Sequence, residues 1–569
     1  MSYRVIVAIL GRAIVVMGAI VVSLSASLGA QKPTGPSLAD LKTTAEATDF
    51  KSTSSYDDVV KFMKTVDAAS PIIYYTTYGT TFEGRAMPMA IVGTGLKGIT
   101  PAAVKATGKL RVHIQGNIHA GEVEGKEAAQ VLLREFAMGQ HKDWLQTMVF
   151  LITPIFNADG NEKFAMNNRG PQNGPINGQG TRAAGMGLNI NRDFMKLETP
   201  EGKAFVKLWN EYDPHVGFDL HTSDGSVTGY YLTYAPGLNP NTSSAILDIQ
   251  KDDWFPFVTK AVKTKHGWDT YYYGNVSGGQ RGGRRGAPAP TEPQVVGAQI
   301  PAAPAPPMEW RTFEHVPRFH NNYVGLRNRF ALLSEAYAYA TFKDRILATN
   351  YFMEEALNYA NANAAKIKAA CAKADAEMLA GKTLATRAAI KRGPGKVNIL
   401  MGEVEDELNP NNGAKMNRRK DVTNVVPMID SRWFEPTVTD TAASEYYIPA
   451  AATKAIALLT LHGVKMRTLT VAIPAAGVEE FAITANTQRP PAQASIDTGT
   501  HGLRSLEGAW RQSATAVPAG SYAISMTQPL ARLAFYLIAP TSDDGIVAWN
   551  FEDELLGASV ETAPIWRKR

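Results

Sequence analysis

His119 and Glu122 stand three residues apart in Asn117-Ile118-His119-Ala120-Gly121-Glu122, where an apolar strand-like run gives way to a helical pattern. On the first turn of a helix those two positions share a side, so an imidazole and a carboxylate can converge on one cation. Taken alone, the pair is common. A second apolar run, Val216 to Leu220, stops at His221 and is followed by the turn residues Thr222-Ser223-Asp224-Gly225. Sites in open α/β sheets gather at the carboxyl ends of strands, and both histidines occupy such ends. Two histidines and one glutamate form a zinc-type donor set that leaves one tetrahedral position open, as in a catalytic site that binds water.

A third apolar run, Phe330-Ala331-Leu332-Leu333-Ser334, ends at Glu335, the candidate general base. A carboxylate beside a metal can take a proton from an attacking water and pass it to a leaving amine. Between these runs lie Asn191 and Arg192, and a guanidinium with a neighbouring amide is suited to gripping a carboxylate by paired hydrogen bonds. His-Glu-x-x-His and Gly-x-Ser-x-Gly are absent from the chain, so two other common hydrolase templates lack support. Of the remaining histidines, His113 reads as packed within a strand, and His141, His266, His462 and His501 as surface residues. His315 and His320 are candidates for lining the cleft.

The elements that would position these residues follow from periodicity. Helical spacing is predicted over Tyr56–Asp67, Glu124–Phe136 and Pro200–Tyr212. Strands are predicted over Ile72–Tyr78, Met87–Val92, Leu110–Ile118, Met148–Ile155, Val216–Leu220 and Phe330–Ser334. Strands alternating with helices argue for an α/β domain with helices on both faces of a mixed sheet. Residues 278–308 are a Gly/Ala/Pro-rich insertion with no apolar periodicity, and Asn350–Leu379 reads as one Ala-rich helix within a connector over 350–393. Residues 394–569 read as a mostly β accessory domain, with strands at Leu469–Ala475, Glu480–Ala485, Ser521–Thr527 and Arg532–Ile538.

His119-Ala120-Gly121-Glu122, Pro154-Ile155-Phe156-Asn157-Ala158-Asp159-Gly160, Asn189-Ile190-Asn191-Arg192-Asp193-Phe194, Asp219-Leu220-His221-Thr222 and Leu333-Ser334-Glu335, in that order, resemble the zinc metallocarboxypeptidase family of carboxypeptidases A and B. The resemblance covers roughly residues 55–345. It implies a mixed eight-stranded sheet flanked by helices, one zinc ion on His119, Glu122 and His221, and Glu335 as base. It further implies that Asn191 and Arg192 hold the substrate's terminal carboxylate and that Arg169 stabilises the oxyanion, with Arg182 a competing choice. Three departures stand out. Gly121 replaces an arginine frequent in digestive members; Asn189 replaces an aspartate that backs the first zinc histidine; and the capping tyrosine has only candidates, Tyr323 first, with Tyr271 to Tyr273 as rivals. The last 175 or so residues resemble accessory β domains of some bacterial members.

Length and composition fit this reading. The chain has 569 residues, 45% hydrophobic and 20% charged, and its net charge of +5 comes without a clustered basic face, which argues against a nucleic-acid partner. Residues 1–30 combine Arg4 and Arg12, the apolar run Ala13–Leu24 and small residues up to Ala30, the pattern of a secretory signal peptide, with no later membrane span. One cysteine, Cys371, excludes an intrachain disulfide. The expectation is a secreted or periplasmic peptide hydrolase over residues 31–349 that removes C-terminal residues from peptides or proteins. A zinc-dependent amidase or endopeptidase acting on cell-wall peptides is the second reading, and a catalytically inactive binding protein the third.

Overall fold

The computed structural model describes residues 38–223, 225–278, 307–489, 495–557 and 560–568. The leader over 1–30 and nearly all of the 278–308 insertion lie outside these residues. Among the described residues, no helix is long and apolar enough to cross a membrane.

Eight strands form the central sheet: β1 (Ile73–Thr80), β2 (Ala86–Val92), β3 (Leu110–Gly116), β4 (Met148–Thr153), β5 (Val216–Ser223), β6 (Leu232–Ala235), β7 (Thr270–Tyr272) and β8 (Phe330–Tyr337). Their spatial order is β1-β2-β4-β3-β5-β8-β6-β7. The middle four, β4-β3-β5-β8, run parallel, and β1, β2 and β6 join antiparallel. Parallel strands are buried on both faces, which is why β4 reads Met-Val-Phe-Leu-Ile-Thr without a polar alternation and is buried throughout.

The chain leaves β3 to form β4 on one side of it, then returns to place β5 on the other. That reversal creates a topological switch point at the carboxyl ends of β3 and β5, the crevice where α/β sheets bind ligands. Helices cover the faces. α1 (Tyr56–Ala69) starts at a capping box of Ser55 and Asp58 and buries Val59, Phe62, Met63 and Val66. α2 (Glu124–Ala137) buries Leu132, Leu133 and Phe136, and its buried Glu124 pairs with Arg345. α3 (Pro200–Tyr212) has Thr199 accepting from the Gly202 N–H and proline in its first turn, and it ends at Asp213 in the left-handed region.

Several elements differ from expectation. The Ala-rich helix begins earlier, at Phe342, because Thr341 caps it through the Asp344 N–H, and it breaks at Asn363 into Phe342–Ala362 and Ala364–Asp375. Arg532–Ile538 is a helix (Ala531–Ile538), not a strand: it is buried on every side, and a fully buried run carries no period to separate the two states. Leu469–Ala475 forms no extended strand, whereas Val478–Gln488 and Tyr522–Ser525 do fall where strands were expected.

The region after Gly393 is mostly β. It contains the long hairpin Lys396–Leu408 with Lys415–Ser431, and a six-stranded sheet built around Val478–Gln488 and Arg504–Gln512. The strands flanking the insertion, Asn275–Ser277 and Glu309–Arg311, pair with each other and extend the hairpin's sheet. Residues 42–569 make one compact unit, and one apolar cluster runs from Trp209 and Tyr323 to Phe535 and Trp549. The C-terminal region therefore shares a core with the sheet domain.

That shared core encloses Glu552, whose Oε1 has no hydrogen-bond partner and whose carboxyl is pushed up to about 8 by burial. A group whose folded pKa is raised contributes stability below its unfolded value, near 4.5, and loses it as pH climbs through about 8. Glu552→Gln, neutral at all pH, should therefore unfold with a gain of at least about 2 kcal/mol over the parent at pH 9 and with little difference at pH 4, measured by urea titration.

Candidate metal centre

β3 runs out into a turn rather than directly into α2. Asn117 adopts φ 63°, and its Nδ2 donates to the carbonyls of Ala120 and Glu122. The Glu122 N–H donates to the His119 carbonyl at 2.9 Å. His119 and Glu122 thus converge through a closed turn that precedes the helix, not through its first turn. From the neighbouring strand β5, His221 points to the same place. His119, Glu122 and His221 are 4%, 3% and 3% exposed, and their ligand atoms all lie within 4.8 Å of one another.

The orientation of each ring is fixed from behind. His119 Nδ1 lies 3.0 Å from Glu122 Oε1, and His221 Nδ1 lies 2.8 Å from Glu122 Oε2. The opposite nitrogens face acceptors: His119 Nε2 is 3.1 Å from Asn189 Oδ1, and His221 Nε2 is 2.8 Å from Asp219 Oδ2. Protons on both Nε2 atoms leave the two Nδ1 lone pairs and the carboxylate converging, three acceptors that need a cation among them. Nitrogen and oxygen donors of this kind suit zinc.

Charge follows the same logic. Glu122 is buried, which alone would raise its pKa, but His119 and Arg169 overcome that and hold it well below the usual carboxylate range. Burial, reinforced by Arg182 and only partly opposed by Glu122, pushes His119 down to about 3, so it is the neutral form that ligates metals. For His221, burial is outweighed by Asp219 and Glu122, which raise it well above the ordinary value.

Glu335 on β8 is the register partner of His221, as Leu333 is of Asp219, so all four lie on one face of the sheet. Glu335, Leu333, Arg182, Asn191 and Arg192 line a cleft of about 110 Å³ together with the three clustered residues. Arg192 stacks 3.6 Å from the centre of the Phe319 ring, donates Nη1 to the Asn191 carbonyl, and forms no ion pair among the described residues. Burial and the nearby Arg182 lower it to about 10, outweighing Asp497 and Glu314. Asn191 accepts the His320 N–H on Oδ1, and its Nδ2 lies 3.4 Å from His221 Nε2.

Residues 59–252 match the family model described as zinc carboxypeptidase. Over that stretch the chain is similar to zinc carboxypeptidases. Carboxypeptidase 2 of Trichophyton rubrum is 27% identical over 143 residues, 24% of this chain and 23% of the relative, and its counterpart from Trichophyton tonsurans aligns to the same extent. The chain thus spans under a quarter of the length of the curated relatives it matches. Solved structures that resemble it include carboxypeptidase A from Helicoverpa armigera (16% identity, TM-score 0.38, covering 60% of this chain and 78% of that one). Another is a metallo-carboxypeptidase from Burkholderia cenocepacia (16%, TM-score 0.37, 54% and 70%).

Two expected site residues fall elsewhere. Tyr323 is fully buried, its hydroxyl 2.9 Å from His462 Nδ1 and its ring stacked on Phe194, so it is a core residue and not a cap over the cleft. Of its rivals, Tyr273 lines the cleft, with its hydroxyl accepting from Asn275. Arg169 crosses Gly121 to reach Glu122 at 3.1 Å and donates to the Thr222 carbonyl, leaving Arg182 as the arginine on the cleft wall. His462, expected on the surface, is buried against Tyr323. Neither His315, paired with Asp543, nor His320, 3.5 Å from Asp219, lines the cleft. Asn189 stands behind His119, the place the resemblance gave it, whereas the role of Asp219 behind His221 was missed. Asp219 could have been found from the two-residue spacing that puts it on the face of His221.

Gly121 leaves the space that Arg169 occupies: a Cβ there would sit 2.5 Å from Arg169 Cγ and 3.0 Å from the Gly180 carbonyl oxygen. Gly121→Ala should cost about 1–3 kcal/mol of stability and weaken zinc retention by displacing Arg169 from Glu122, measured by denaturant titration and by competition with a chelator.

Proposed function

We propose that the chain is an exported zinc metallocarboxypeptidase that hydrolyses the last peptide bond of peptides or proteins. The observation that carries this reading is Arg192: a half-buried guanidinium that forms no ion pair among the described residues, fixed on Phe319 at the wall of the cleft that holds His119, Glu122, His221 and Glu335. A free C-terminal carboxylate is the anion that matches it, by paired charge-assisted hydrogen bonds. The leader over 1–30 supports a secreted or periplasmic location.

With the carboxylate held at Arg192, and Asn191 beside it, the preceding carbonyl lies toward the metal centre. His119, Glu122 and His221 would hold zinc, which would supply Lewis acidity for the carbonyl and for the attacking water. Glu335, partly exposed beside His221, takes the proton of the attacking water and delivers it to the departing amide nitrogen, so that one carboxylate serves as base and then as acid. Arg182 donates to the carbonyl oxygen as negative charge builds there. Leu333, Phe313 and Tyr273 give the cleft an apolar side.

Glu335→Gln should lower kcat by at least about 10²-fold while zinc content stays stoichiometric, whereas His119→Ala should lose both, as read by steady-state kinetics and metal analysis. N-blocked dipeptides with free and amidated C-termini test the carboxylate grip. Chelator-sensitive cleavage restricted to the free acids, with Arg192→Ala raising KM by about 10²-fold, is the expected outcome. Equal cleavage of the amides would move the reading to a zinc amidase or endopeptidase.

A further inference from the structure

We propose that Asp497 is a positioning residue of the metal centre, acting through Asn189 on His119. This rests on the metal-centre reading above. Residues 495–499 form a turn that holds Asn189 at two points: its N–H donates to the Ile496 carbonyl at 2.6 Å, and its Nδ2 donates to Asp497 Oδ1 at 2.7 Å. An amide side chain has one donating end and one accepting end, and a carboxylate only accepts. Asp497 therefore sets which way the Asn189 amide faces. Its oxygen is turned to His119 Nε2 at 3.1 Å and also takes the Asn191 N–H at 3.0 Å.

The consequence reaches the metal position. An acceptor at Nε2 requires the proton there and leaves Nδ1 with its lone pair. That nitrogen faces Glu122 at 3.0 Å and takes Arg182 Nη1 at 3.2 Å, a contact that itself requires an unprotonated nitrogen. His221 has the same support without an intermediary, from Asp219 at 2.8 Å. Both histidines are thus backed by a carboxylate, one directly and one at one remove. Asparagine at 189 is what permits this, because an aspartate there would set two carboxylates in contact across the 2.7 Å bond.

The turn is fastened in place. Ser495 Oγ contacts Thr498 Oγ1 at 2.8 Å and accepts its N–H, Gly499 turns the chain at φ 61°, and His501 Nε2 lies 2.8 Å from Glu198. A segment more than 300 residues along the chain from Asn189 therefore completes the support of the first metal ligand.

The test uses the full-length chain, with zinc dissociation constants from competition with a chromophoric chelator and kcat and KM on a free-acid dipeptide. Asp497→Ala should weaken zinc binding by about 10-fold or more, and Asp497→Asn by less, since an amide oxygen can still accept from Asn189. Asn189→Asp alone should also weaken it, and Asn189→Asp with Asp497→Asn should return to within about threefold of the parent, which a misfolded variant would not do. Asp497 also acts by its charge on Arg192, so KM is recorded alongside and zinc affinity carries the test. Unchanged zinc affinity in Asp497→Ala or parent-like affinity in Asn189→Asp alone would overturn the assignment. His119→Ala that binds zinc as tightly as the parent would instead remove the metal-centre reading beneath it.

Discussion

A buried carboxylate that must remain charged organises this molecule. Glu122 is almost wholly removed from water, and an isolated anion there would take up a proton. It stays ionised because His119, His221, Arg169, Arg182 and the Thr222 N–H all converge on it. Each of those partners needs an element to deliver it: the turn after β3, the end of β5, and the loop carrying Arg169 and Arg182. The parallel centre of the sheet is the frame that brings β3 and β5 side by side, so that two strand ends far apart in sequence open on one crevice.

Much of this was legible in the chain itself. Apolar runs that stop abruptly at His119, His221 and Glu335 are local signals, because a buried parallel strand must be apolar and its end is where polar chemistry can begin. The sheet strands β1 to β5 and β8 and helices α1 to α3 were readable for the same reason. What escaped was whatever depends on distant partners. Tyr323 looks like a cleft residue from its neighbours in sequence, but its hydroxyl is satisfied by His462, which comes from a helix 139 residues away. Arg169 and Arg182 occupy one glycine-rich stretch and both approach Glu122, and only the path over Gly121 decides which of them packs behind it and which also lines the cleft. The helix at Ala531–Ile538 shows the limit of periodicity, since a run buried on all sides has none.

The C-terminal region is more than an appendage in this architecture. Its apolar residues lie in one cluster with Trp209 and Tyr323, and its turn at 495–499 grips Asn189. The helix bearing His462 closes over the same side, where Arg327 binds the His462 carbonyl and the Asn210 side chain. The sheet supplies the metal-binding donors, and the C-terminal residues supply part of what keeps them still.

One pairing has a use of its own. Val276 and Trp310 are ladder partners, and Ser277 and Glu309 are the last pair before the chain departs into the glycine- and proline-rich stretch. The two ends of that stretch are therefore fastened together by backbone hydrogen bonds and by the buried Trp310, on a sheet separate from the one that carries the metal-binding donors. With its ends already joined, the cost of a longer or shorter connection grows only with the logarithm of its length. The same two strands carry Tyr273 and Phe313 at their outer ends, so joining them also holds two residues of the cleft wall at a fixed spacing.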